Sequence, residues 1–173
     1  MSKKQEYLFY AIILGLLTMT GTIAVDLFVP TIPSISSDFN IGIGSIELSL
    51  AALFIGNGIG QIIYGSISDR FGRKPVILVS LLIYFVTTIG AGLSTNIEIL
   101  IIWRFFQGLL MASGRILANA VARDLFERDK LARFITLIMG VGILSSLFSA
   151  PLGGFLSENF RCPTVFWCMS IYS

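Results

Sequence analysis

The stretch Gly65-Ser66-Ile67-Ser68-Asp69-Arg70-Phe71-Gly72-Arg73-Lys74-Pro75 decides how this chain folds. It gathers three cations, an acid and two glycines between two long apolar runs, 46–67 and 75–93. About 20 apolar residues make a helix long enough to cross the ~30 Å hydrocarbon core of a bilayer. Pro75 suits the first turn of a helix. A charged turn joining two membrane-length apolar runs predicts a helical hairpin set in lipid.

Outward from this hairpin the pattern repeats. Runs at 7–29, 97–122 and 131–156 are also long enough to span, and a partial sixth, 163–173, ends with the chain. The expected architecture is an all-α membrane protein: one bundle over residues 1–173, with five transmembrane helices and part of a sixth. Composition agrees. Of the 173 residues, 55% are hydrophobic and 13% charged, where a soluble domain carries about 25% charged residues. Lipid is therefore the expected solvent and the bilayer the first partner. Lys3 and Lys4 before an apolar run resemble a signal peptide, but the run is long and no small-x-small cleavage site follows. An uncleaved first span is the reading.

The polar links alternate in charge. Segment 30–44 has no Lys or Arg, and neither does 94–96. Segment 68–74 has Arg70, Arg73 and Lys74, while 123–133 has Arg123, Arg128, Lys130 and Arg133. With Lys3 and Lys4, these are nine of the twelve basic residues, all on one side. The positive-inside rule makes that side, and the N-terminus, cytoplasmic. A net charge of +2 gives no reason to expect a nucleic-acid partner. The chain has no histidine, which removes Ser-His-Asp and Cys-His catalysis and His-ligated metals. Neither an enzyme nor a metal site is expected, and Cys162 and Cys168 read as small apolar residues, with a structural disulfide as the alternative.

Ala52, Gly56 and Gly60 repeat every four residues, a spacing that lets helix backbones approach closely in lipid. Three spans also carry polar stripes at helical spacing. In the first are Gly15, Thr18, Met19, Thr22 and Asp26. In the second are Asn57, Gln61, Tyr64 and Ser68, and in the fourth Arg104, Gln107, Gly108, Met111, Arg115 and Asn119. Ionisable groups inside a membrane cost several kcal/mol unless they face water or a partner. The stripes therefore predict a wet cavity, with interhelical hydrogen bonding as the plainer alternative for their Asn, Gln, Ser and Thr members. Burial disfavours the charged form of a carboxylate, so Asp26 is the candidate proton carrier. Glu47 and Glu98, at expected helix starts, read as caps on the helix dipole.

The opening stretch closely resembles the G-x-L-x-D-R-x-G-R-K signature of the major facilitator superfamily, with Ile67 in place of Leu. The resemblance implies a cytoplasmic latch built from Gly65, Asp69, Arg70, Gly72, Arg73 and Lys74, with Gly65 letting a neighbouring helix approach. Trp103-Arg104-Phe105-Phe106-Gln107-Gly108 resembles the family's fourth-helix signature R-x-x-Q-G, which implies a coupling role for Arg104. Asp26-Leu27-Phe28-Val29-Pro30-Thr31-Ile32-Pro33 is similar to the D-x-Y-L-P-A-x-P segment of the bicyclomycin-resistance (Bcr/CflA) group of drug:proton antiporters, and Arg123-Asp124-Leu125-Phe126 fits that group. Ser146 to Gly154 resembles the antiporter pattern G-x-x-x-G-P-x-x-G-G, with Ser146 and Ala150 at glycine positions and Pro151 one residue nearer the pair Gly153-Gly154.

The resemblance implies the N-terminal half of a transporter in the bacterial inner membrane. Drug-like molecules would be exported by alternating access, driven by the proton gradient without a cofactor. The missing C-terminal half would be its partner. Met19 and Met111 suit varied apolar substrates because their side chains adapt in shape. An importer of nutrients or organic ions, and a truncated remnant without transport, stand as alternatives.

Overall fold

The computed structural model describes residues 3–126 and 128–159. Among them lie six α-helices and one 3-10 turn. They are α1 (Lys3–Asp26), the 3-10 turn (Val29–Thr31), α2 (Ile32–Phe39), α3 (Ile43–Phe71), α4 (Arg73–Gly92), α5 (Ile97–Leu125) and α6 (Arg128–Asn159). Five helices are long and apolar enough to cross a membrane. The expected partial sixth span, 163–173, lies outside the described residues.

Local chemistry sets the helix ends. Pro30 and Pro33 each fall in the opening turn of their element, where a missing N–H costs nothing. The link expected at 30–44 is therefore largely helical, and it closes at Asn40 in the left-handed conformation (φ 52°). The basic link expected at 68–74 shrinks to one residue. Helix α3 runs on to Phe71 and α4 begins at Arg73, because charged residues stay helical once they reach water. Gly72 makes the break at φ 88°, a conformation that costs glycine nothing. At the other end of the bundle, Asn96 caps α5 by accepting a hydrogen bond from the Ile99 N–H at 2.9 Å. Glu98 sits in the first turn of α5, but Glu47 lies a turn inside α3, since that helix starts at Ile43.

Helix α5 is the hub, packed on α1, α3, α4 and α6. Its most extensive seam is with α3. There Gly56 and Gly60 of α3 and Gly108 of α5 leave no room for a Cβ. One added at Gly108 would lie 2.7 Å from the Leu53 carbonyl carbon, and one at Gly56 would lie 2.9 Å from the Leu109 nitrogen. The four-residue stripe read in the sequence is thus a packing seam. The outward faces of α3, α4 and α6 are apolar, with Ile62 79% and Ile143 73% exposed. Such a surface is stable against lipid and not against water.

Candidate functional site

Among the described residues, Arg104 is the largest fully buried side chain, at 0% exposure. Its Nη1 donates to Gln107 Oε1 at 2.9 Å and to the Ala24 carbonyl at 3.5 Å. Its guanidinium carbon stands 3.6 Å from the centre of the Phe28 ring. Gln107 passes the chain on, donating from Nε2 to Thr88 Oγ1 at 3.0 Å, and Thr88 donates to the Tyr84 carbonyl at 2.8 Å. This polar chain joins α5, α4 and the end of α1. A cation kept from water needs such hydrogen bonds and a π face to be tolerated.

Asp26 is half-buried on the other side of the α1 terminus, since residues 24 and 28 share a helical face that residue 26 does not. Its Oδ2 accepts from Ser149 Oγ of α6 at 3.2 Å. A turn further along α6, a Cβ at Gly153 would lie 2.7 Å from the Leu27 carbonyl oxygen, so α6 lies directly on this end of α1. Gly154 has space for a Cβ, and Ala150 and Pro151 are exposed. The helix continues unbroken through Pro151.

The remaining members of the stripes separate. Met111 is half-buried over Gly21 of α1, and Asn57 and Gln61 are half-buried on α3. Arg115 is exposed. The fourth-span stripe is thus divided between a closed polar chain (Arg104, Gln107), an exposed Arg115 and a half-buried Asn119.

At the basic end, Arg73 at the start of α4 reaches Asp69 of α3 at 2.6 Å and Asp124 of α5 at 3.2 Å. It also donates to Ser68 Oγ. These are the ion pairs among the described residues. A cation at a helix N-terminus opposes the helix dipole, and the two acids offset that. With Asp69 and Asp124 68% and 57% exposed, each pair contributes about 0–1 kcal/mol. Asp69, Arg73, Arg123 and Asp124 line a cleft of about 300 Å³. Arg70 is exposed with its guanidinium 5.6 Å from the Phe71 ring centre, and Lys74 is exposed. Gly65 does not meet a neighbouring helix as expected: a Cβ there would touch nothing within 4 Å, and the residue lines the cleft instead. Sequence reasoning missed Asp124, Ser149, Thr88 and Phe28. For Asp124 the signal was an acid set among the cations of 123–133.

The fold and these ionic side chains define a polytopic helical membrane protein with charge held inside its bundle. Residues 14–173 match the model of the Major Facilitator Superfamily. The chain is 35% identical over 157 residues to multidrug resistance protein D of Escherichia coli, covering 91% of this chain and 40% of that protein. It is 32% identical over 150 residues to the uncharacterized MFS-type transporter YdgK of Bacillus subtilis, covering 87% and 37%. It is 27% identical over 171 residues to a bicyclomycin resistance protein homolog of Haemophilus influenzae, covering 99% and 43%. The chain belongs to the Major Facilitator Superfamily, a family of transporters rather than enzymes. It spans about two fifths of the length of the curated relatives it matches.

Proposed function

We propose that this chain forms the N-terminal half of a proton-coupled exporter of drugs or similar small molecules. It would lie in the bacterial inner membrane with its N-terminus in the cytoplasm and work by alternating access. The observation that carries the reading is Asp26, a carboxylate held inside an apolar span and bonded across a helix joint to Ser149. Kinship with proteins named for multidrug and bicyclomycin resistance supports the substrate class.

The two sides of the α1 terminus take different roles. Arg104, Gln107 and Phe28 hold one side as a fixed pivot. Ionised Asp26 accepts from Ser149 on the other side. Protonated, it becomes a donor, and the α1–α6 joint rearranges while the Arg104 side stays. At the basic end, the Asp69–Arg73–Asp124 latch joins three helices through weak pairs that can break and reform in each cycle. Gly72, Arg70 and Lys74 keep it at the membrane surface. The groove beside Arg115, with Met111, Asn57 and Gln61, is the pathway for substrate, completed by the C-terminal half. Ala150 and Pro151 stay outside it, and Gly153 supports the α1–α6 joint.

Everted membrane vesicles containing the intact protein test this. Drug uptake should follow an imposed pH gradient and collapse with a protonophore. Asp26→Asn should abolish the gradient dependence while the protein still inserts. Uptake in the variant that still tracked the gradient would remove Asp26 from coupling.

A further inference from the structure

Arg115 carries an inference about the transported molecule, one that rests on the export reading above. Helix α5 has 29 residues, so it is about 43 Å long, more than the ~30 Å of hydrocarbon. Arg115 stands about 6 Å from its midpoint and about 15 Å from its end at Leu125. With the helix centred, the nearer hydrocarbon boundary lies about 9 Å away, and the Arg115 side chain leaves the helix leaning toward its N-terminus, away from that boundary. Yet Arg115 is exposed, where Arg104 on the same helix is sealed.

The packing of α5 tells which way this exposure faces. Gly114 sits against Leu17 of α1, while Phe105, Gly108, Leu109 and Ala112 meet α3. At 100° per residue, position 115 falls on the strip between these two contacts, and position 119 lies at the α3 edge of it. The exposed large apolar residues in the first half of α5 are Ile99, Ile102 and Phe106, and they lie on the opposite strip; Leu125, also exposed, is the last residue of the helix. One strip suits lipid. The other holds a cation that would cost about 3 kcal/mol or more in lipid. The strip between α1 and α3 is therefore a water-filled groove.

Among the residues whose side chains are described, both ion pairs belong to Arg73 and neither involves Arg115. Asp26 is far off. Gly114 contacts α1 at Leu17, and Asp26 lies about 13 Å further along that helix. A fixed positive charge between low-dielectric walls concentrates anions. A guanidinium adds a planar fork that matches a carboxylate. Asn119 one turn on offers hydrogen bonds, and Met111 one turn back offers adaptable apolar contact.

We infer that Arg115 is the anion-recognition point of the groove, and that the exported molecules include amphipathic organic carboxylates. The test uses the intact protein that carries this chain, reconstituted in phosphatidylcholine vesicles, with anionic fluorescein and cationic ethidium as transported probes. Wild type should move fluorescein. Arg115→Gln should lower its kcat/KM at least tenfold with ethidium unchanged or faster, and Arg115→Lys should restore part of the loss. Equal loss of both probes, or unchanged fluorescein transport in Arg115→Gln, overturns the inference. Wild-type transport of ethidium alone overturns it while leaving export intact. Transport of neither probe removes the export reading as well.

Discussion

Replacing Gly108 by alanine perturbs the bundle where it is tightest. The new Cβ would lie 2.7 Å from the Leu53 carbonyl carbon and 2.9 Å from its Cα, with the carbonyl oxygen nearer still. Carbon atoms pack best at about 3.5–4.0 Å, so α3 and α5 must part by about 1 Å. The atoms met are backbone and cannot swing away. A gap of that size forfeits a quarter to a half of the dispersion energy of the contacts it opens, along the longest seam in the bundle. Overpacking of this kind costs about 1–3 kcal/mol, and the length of the seam places Gly108→Ala near the upper value. For a chain this size the melting temperature should fall by about 6–12 °C. The assay is thermal unfolding of the purified protein in detergent, with Gly65→Ala as the control. Position 65 has room for a Cβ, and alanine is the better helix former by about 1 kcal/mol, so this variant should melt at or above wild type. A Gly108→Ala protein as stable as wild type, or a Gly65→Ala protein destabilised as much, would refute the reasoning.

Arg104→Met removes the hydrogen bond to Gln107 and the contact with Phe28. It should cost about 2–3 kcal/mol and abolish export, as read by melting temperature and by vesicle uptake at temperatures where the variant stays folded. Asp124→Asn breaks one exposed pair of the latch. Its melting point should move by the equivalent of less than about 1 kcal/mol, while transport rates change severalfold because the latch opens in every cycle.

The spans were legible because lipid imposes a length and a polarity that hydropathy reads directly. Their ends were not, because Asp69, Arg70, Arg123 and Asp124 stay in regular helix after leaving the apolar zone. Between α3 and α4 only Gly72, with a backbone shape that favours glycine, marked the break. Helical periodicity placed Arg104 and Arg115 on one stripe of the fourth span. It did not tell which neighbour covers each: Phe28 and Ala24 close over Arg104, and Arg115 lies open. Asp124 was out of reach for another reason, since it meets Arg73 across 51 residues of sequence. Its place among the cations of 123–133 hinted at a pairing role, but which cation it meets depends on α5 packing beside α3 and α4.

Transport through this bundle requires water to reach the strip between α1 and α3 while lipid covers the opposite strip of α5. Single cysteines at positions 115, 119, 102 and 106, in a background with Cys162 and Cys168 replaced by serine, test this with a charged, membrane-impermeant thiol reagent. Arg115→Cys and Asn119→Cys should react rapidly, and Ile102→Cys and Phe106→Cys only with a lipid-soluble maleimide. Equal labelling at all four positions by the charged reagent, or protection at 115 matching that at 102, would contradict the account.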